Sequence, residues 1–211
     1  MGIIYFIRHA ESIVNITKEF SYKKVDKPLT PKGRLQAQQL AKYLKTVDFS
    51  AIYTSPLKRA LETSQIINNQ KNLPLEIMEA FREVNVGDLD GKPPTKENWA
   101  LYINIARFFY TGEPERCFPG GENKNELVQR LKLGVRDVLL KHQKEKVAIV
   151  GHGGIFTIGL TEILINVKGW PNCGVAICDL QLEGDEVTGV LKECGIASFL
   201  KDSATSFLKE F

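Results

Sequence analysis

The chain has 211 residues, 43% of them hydrophobic and 25% charged, and a formal net charge of +3. That length suits one good core better than two, and the balance is that of an ordinary globular domain. The charge is too small to argue for nucleic acid or a membrane surface as partner, no apolar run approaches the length of a membrane span, and no signal peptide is expected at the N-terminus.

Four cysteines (Cys117, Cys173, Cys178 and Cys194) have neither paired zinc spacing nor disulfide-framework density. They read as small buried residues in a reducing compartment, and the cytoplasm is the expected location.

The first element is the run Ile3-Ile4-Tyr5-Phe6-Ile7, a buried strand that stops at Arg8-His9. A cation and an imidazole at the end of a buried strand are costly unless they meet an anion or a partner. In open α/β sheets, ligands sit outside the carboxyl ends of strands. Residues 12–29 follow as a long irregular stretch rich in Lys and Ser. Lys23, Lys24 and Lys27 are either a solvated run or a lure for anionic substrates.

Thr30-Pro31 opens a helix with an N-cap and a first-turn proline, and Ala37, Leu40, Ala41 and Leu44 supply its apolar face. Residues 51–54 predict a second strand. Ser55-Pro56 repeats the cap-plus-proline device, which puts Arg59 in the first turn of a second helix. A short strand is expected at 75–78, then a loop over 81–91 turning at Gly87 and Gly91.

Residues 96–110 read as a helix carrying Trp99, Tyr102, Phe108, Phe109 and Tyr110, and 113–123 as a loop. Leu127, Leu131, Val135, Val138 and Leu139 mark a long amphipathic helix. Val147 to Val150 form a buried strand ending on His152, followed by Gly153-Gly154 and an apolar helix to about residue 165. Two strands, 175–182 and 187–192, flank Gly184-Asp185 as a hairpin. An edge strand there could pair with a second copy, giving a homodimer. The tail, with Phe199, Phe207 and Phe211, either docks as a short helix or dangles. The alternation predicts an α/β three-layer sandwich: a mostly parallel central sheet with an antiparallel edge strand and helices on both faces. A single domain over 1–211 is expected, with a lid-like insertion at about 92–122.

Of the three histidines, His142 lies in a polar helix end, whereas His9 and His152 each follow a short apolar strand. Adjacent strand ends would bring these two rings together, face to face across one pocket. Two imidazoles and a guanidinium in one crevice repel each other unless an anion is present, and phosphate suits Arg and His donors best. The glycines after His152 would let backbone N–H groups approach that anion at a helix start, and Arg59 could add a second guanidinium. A metal held by His9, His152 and Glu83 is the competing reading, disfavoured by two arginines around the cation.

These residues carry a resemblance. Arg8-His9-Ala10-Glu11-Ser12 with Asn15 resembles the R-H-G-[ED]-[ST]-x-x-N signature of the histidine phosphatase superfamily. Leu29-Thr30-Pro31-Lys32-Gly33 with Gln36-Ala37 is similar to its L-T-x-x-G-x-x-Q-A. Tyr53 to Ala60 is similar to S-x-S-P-L-x-R-A, and Phe81-Arg82-Glu83 through Gly91 to L-x-E-x-x-x-G-x-x-E-G. Phe118-Pro119-Gly120-Gly121-Glu122 is similar to P-G-G-E-S, and Val150-Gly151-His152-Gly153-Gly154 to V-x-H-G-G. The matches run in order over most of the chain. Ala10 replaces the usual glycine, Asn123 stands where Ser or Thr is frequent, and the usual Q-G-x-x-D after Asn15 is missing.

The resemblance implies hydrolysis of a small-molecule phosphate ester through phosphohistidine. His9 would be the nucleophile, with Arg8, Arg59 and His152 on the phosphoryl oxygens. Asn15 and Gly153 would add phosphate contacts, and Glu83 would serve as acid and then base, with Glu11 its competitor. No metal and no cofactor is implied. A phosphoglycerate mutase-type phosphotransferase is the alternative, although residues 91–119 are short for the shielding segment it needs. A phospho-ligand-binding module without turnover is the third reading.

Overall fold

The computed structural model describes residues 1–169 and 171–200. Its centre is a six-stranded sheet. In chain order the strands are β1 (Gly2–Arg8), β2 (Ala51–Thr54), β3 (Leu75–Ile77), β4 (Lys146–Gly151), β5 (Val175–Glu183) and β6 (Glu186–Ile196). They lie side by side as β3-β2-β4-β1-β5-β6. The first four are parallel, and β5 and β6 run antiparallel to their neighbours. The expected α/β sandwich is present, with its antiparallel edge made of a pair rather than one strand.

The helices are α1 (Ile13–Thr17), α2 (Pro31–Tyr43), α3 (Lys58–Asn68), α4 (Lys96–Ala106), α5 (Lys124–Lys141) and α6 (Gly153–Leu160). Period-two alternation in the strands feeds two cores. Ile4 and Phe6 of β1 and Val147 and Ile149 of β4 pack with Leu131 and Val135 of α5 and Phe156 of α6. Ile7, Ala148 and Val150 pack on the other face, against Ala37 and Leu40 of α2 and Ala60 of α3. Each such side chain, fully withdrawn from water, contributes roughly 1.5–3 kcal/mol.

This layering creates the crevice. The chain leaves β1 toward the α2–α3 face and leaves β4 toward the α6 face. Two neighbouring parallel strands whose outgoing connections go to opposite faces leave a gap outside their carboxyl ends. Arg8 is in register with Gly151, so His9 and His152 come next, side by side.

Several local expectations shift. Residues 12–29 are not wholly irregular: α1 forms within them, started by a box in which Asn15 Oδ1 accepts from the Ser12 N–H at 2.9 Å. Helix α3 begins at Lys58, later than the Ser55-Pro56 pair predicts, because Leu57 is still extended and stands as its N-cap. Helix α6 ends at Leu160, shorter than the apolar run suggested. In the tail, Phe199 stacks on Tyr43 at 4.7 Å; Phe207 and Phe211 lie outside the described residues.

Gly33 shows why the first turn of α2 sits so close to the β1 loop. A Cβ there would lie 1.9 Å from the Glu11 carbonyl oxygen. Thr30 caps that helix from Oγ1 to the Gly33 N–H at 2.9 Å and donates its hydroxyl to Glu11 Oε1 at 2.8 Å. Glu11 therefore ties α2 to the strand end and does not line the crevice.

Candidate active site

At the carboxyl ends of β1 and β4 lies a cavity of about 330 Å³. Its floor contains Arg8, His9, Asn15, Arg59, Glu83 and Gly153. His152 is fully buried and lies behind this wall, its ring 5.1 Å from that of His9. The two rings meet edge-on at 61°, not face to face.

His9 is held at both nitrogens. Nδ1 donates to the carbonyl of Ala10 at 2.7 Å, which fixes the proton there and leaves the Nε2 lone pair exposed to partners. The Nε–H of Arg59 donates to that Nε2 at 3.2 Å. Burial, then Arg59 and Arg8, hold the ring's pKa well below the usual histidine range, so it is a neutral imidazole. The carbonyl of His9 accepts from the Asn172 amide at 3.0 Å and from the Cys173 N–H at 3.2 Å.

Arg59 is 3% exposed and braced from the loop before α2: Nη1 donates to Ser21 Oγ at 2.8 Å and Nη2 to the Ser21 carbonyl at 3.4 Å. That loop is pinned by buried Asp90, which accepts from the backbone N–H groups of Tyr22, Lys23 and Lys24 at 2.7–2.9 Å. The lysine side chains themselves stand outside the cavity wall. Burial lowers the Arg59 pKa to about 10, which still leaves a cation at neutral pH.

Asn15 spends Oδ1 on the Ser12 N–H and hydroxyl, both at 2.9 Å, and on Asn172 at 3.3 Å. Its amide N–H pair is left for the cavity. The Ser55 hydroxyl accepts from the Leu57 N–H at 3.3 Å and lies in hydrogen-bond contact with His152 Nε2 at 2.7 Å. His152 Nδ1 is buried with no hydrogen-bond partner among the described residues. Burial first, then Arg59, keeps this ring's pKa well below the usual range as well.

Glu83 occupies the start of α6. The N–H of Ile155 donates to Oε1 at 2.9 Å and that of Gly154 to Oε2 at 3.3 Å. The Glu83 carboxyl thus accepts from both Gly154 and Ile155 at the first turn of α6. Gly154 has no room for a side chain, since a Cβ would lie 2.6 Å from Glu83 Oε1. Gly153 faces Arg8 instead, at 3.2 Å from an added Cβ to Nε.

The backbone carrying Glu83 is clamped by Arg130 of α5. Nη1 donates to the carbonyls of Ala80 and Arg82 at 2.9 and 2.8 Å, and Nη2 to that of Glu83 at 3.4 Å. Glu122 closes the clamp, accepting from Arg130 Nη2 at 2.7 Å and from the Asn85 N–H at 2.8 Å. Sequence reasoning missed Arg130, Asn172, Ser21 and Asp90. Glu122 alone had a signal, as the last residue of the Pro119-Gly120-Gly121-Glu122 motif. Among the described residues, no three His, Cys, Asp or Glu side chains are placed to share a metal ion.

Two buried arginines and two neutral histidines around a gap between parallel strand ends define an α/β enzyme that handles phosphate. Residues 4–190 match the family model described as the histidine phosphatase superfamily, branch 1. The chain is 34% identical to the uncharacterized phosphatase PhoE of Bacillus subtilis over 163 residues, covering 77% of this chain and 78% of that one. Its fold is similar to that of Bacillus stearothermophilus YhfR, with a TM-score of 0.75 and 28% identity over 91% of this chain and 96% of the other. A phosphoglycerate mutase from Bacillus anthracis shares the fold at a TM-score of 0.78 and 23% identity, covering 93% and 94% of the two chains. The chain belongs to the histidine phosphatase superfamily, and its relatives are phosphatases and phosphotransferases.

Proposed function

We propose that the protein is a metal-independent phosphomonoester hydrolase that works through phosphohistidine on small phosphorylated molecules. The observation that carries this reading is the state of His9, with its proton fixed on Nδ1 and its Nε2 lone pair facing Arg59 in the anion pocket.

A phosphate dianion entering the pocket takes the place of Nε2 as partner of Arg59. Arg8, Arg59 and the Asn15 amide hold its oxygens, and His152, buried behind His9, supplies a further ring nitrogen to the phosphoryl group. Nε2 attacks phosphorus while the ester oxygen departs with a proton from Glu83. That proton is carried on Oε2, the carboxylate oxygen with the longer backbone bond. The Ala10 carbonyl stabilises the Nδ1–H of the phosphorylated ring. Water then gives a proton to Glu83 and attacks phosphorus. Phosphate leaves, and neutral His9 and protonated Glu83 are restored. The positive charge that a metal would bring is supplied by two guanidinium groups.

Residues 92–122 serve as a cover over the leaving group, with α4 facing the cavity. Four free thiols, two of them buried, fit a reducing compartment such as the cytoplasm.

The test is phosphate release from p-nitrophenyl phosphate in the presence of chelator, with rapid denaturation to trap acid-labile, base-stable phosphoprotein. The expected result is turnover with label on His9, and in His9→Ala a loss of at least about a thousandfold with no label. Activity that needs added divalent metal, or label on another residue, overturns the reading. Interconversion of phosphoglycerates without net phosphate release points to a mutase instead.

A further inference from the structure

Helix α4 contains no fully buried residue, yet it has an apolar face. Trp99, Tyr102, Ile103 and Ala106 recur at helical spacing, and all four line the cavity together with His9, Phe20 and Ile158. An apolar helix face is normally covered by core. Here Trp99, Tyr102 and Ala106 pack only partly against the core and leave apolar surface on a cavity whose inner end is an anion cradle. The wall is also built in advance: Trp99 and Tyr102 lie 4.7 and 5.7 Å from Phe20, and Tyr102 stacks on Phe118 at 5.4 Å. A preformed aromatic wall binds with little further ordering cost.

Charge is scarce beyond the floor. The outer wall has one basic side chain, Arg107, and one acidic one, Glu19. Arg107 is exposed, with its guanidinium 4.9 Å over Phe108. A carboxylate one or two carbons from the phosphate would be pressed against rings and would lose hydration without a partner. The cavity, about 330 Å³ with the phosphate included, is at the small end for organic ligands and suits one or two rings.

We propose that the leaving group is an uncharged, flat aromatic alcohol seated against the cavity wall formed by Phe20, Trp99 and Tyr102, and that esters bearing a carboxylate near the phosphate are poor substrates. This rests on the phosphomonoesterase reading of His9 and specifies the other half of the same site.

The experiment compares kcat/KM for 2-phenylethyl phosphate, glycerol 3-phosphate and 3-phosphoglycerate. All three release primary alkoxides, so bond reactivity does not bias the result. The aromatic ester is expected to lead by at least about tenfold. Trp99→Ala should draw its ratio to glycerol 3-phosphate toward one, and Trp99→Phe should restore most of it, with thermal melts showing both variants folded. Equal or better turnover of 3-phosphoglycerate or glycerol 3-phosphate overturns the proposal, as does a ratio unmoved by Trp99→Ala. If no ester releases phosphate, the hydrolase reading fails by itself. Binding of 3-phenylpropylphosphonate against 2-hydroxy-4-phosphonobutanoate then decides the aromatic wall: tighter aromatic binding upholds it, and equal or weaker binding overturns it.

Discussion

Arg130 and Glu122 form an ion pair, 2.7 Å from Nη2 to Oε1, that closes around the backbone on which Glu83 stands. Neither residue lines the cavity. The pair acts on Glu83 at one remove, by fixing the carbonyl directions of Ala80, Arg82 and Glu83 in a stretch with no strand or long helix of its own.

Arg130→Lys removes the planar fork that reaches those carbonyls. Leaving half-buried carbonyls unpaired costs up to about 1–3 kcal/mol, so the melting temperature should drop. The informative readout is the leaving-group dependence. We expect kcat on an alkyl phosphate to fall about tenfold, kcat on p-nitrophenyl phosphate to fall much less, and KM to stay within about twofold. A uniform loss on both esters would reduce Arg130 to a purely structural part.

Glu83→Gln tests the proton donor directly. An alkoxide needs a proton to leave and a nitrophenolate does not. Alkyl esters should lose roughly 10²–10⁴-fold in kcat/KM. With p-nitrophenyl phosphate the first step should survive while the water step slows. Stopped-flow should then show a burst of about one nitrophenol per site followed by slow turnover. A variant with wild-type rates on alkyl esters would move the acid role elsewhere.

The two histidines also set a pH dependence of stability. In the folded protein, burial first and then the arginines hold both rings well below the ordinary value of 6.5. The unfolded chain binds protons there that the folded one refuses, so stability is lost as pH falls below about 6.5 toward the folded values, at up to about 1.4 kcal/mol per pH unit for each ring. Scanning calorimetry between pH 8 and pH 5 should show a falling melting temperature. Inorganic phosphate should raise it and flatten the slope, because a bound dianion favours the protonated rings. A melting temperature that climbs as the solution is acidified would contradict this account.

Gly33→Ala should be among the most damaging single methyl additions in the molecule. The new Cβ would lie 1.9 Å from the backbone oxygen of Glu11, which cannot rotate away. We expect a loss of at least about 2 kcal/mol in urea unfolding. Activity should fall too, since Glu11 continues directly from His9 and Ala10.

Much of this was legible in the sequence because it is local. Apolar runs with short periods mark β1, β2, β4 and the β5–β6 hairpin. The Thr30-Pro31 cap marks α2, and the Leu127 to Leu139 stripe marks α5. The residues expected around the anion do converge, since Arg8 and His9 share a strand end with His152 across a parallel ladder. What stayed hidden is what depends on distant partners. Ser55 reads as a helix cap, but a histidine 97 positions away claims its hydroxyl. Arg130 reads as one more polar residue on an amphipathic helix, and its targets 47–50 positions earlier leave no periodic trace. Asn172 and Asp90 are single polar residues in loops, given meaning only by the backbone atoms that fold against them.

The 3.2 Å contact between the Arg59 Nε–H and His9 Nε2 implies that the nucleophile proposed at His9 is sheathed at rest. Its lone pair already holds a hydrogen, so a neutral electrophile drifting into the crevice finds nothing to react with. Only a visitor with enough negative charge to draw the guanidinium onto itself bares the nitrogen, and in doing so it arrives in line for attack.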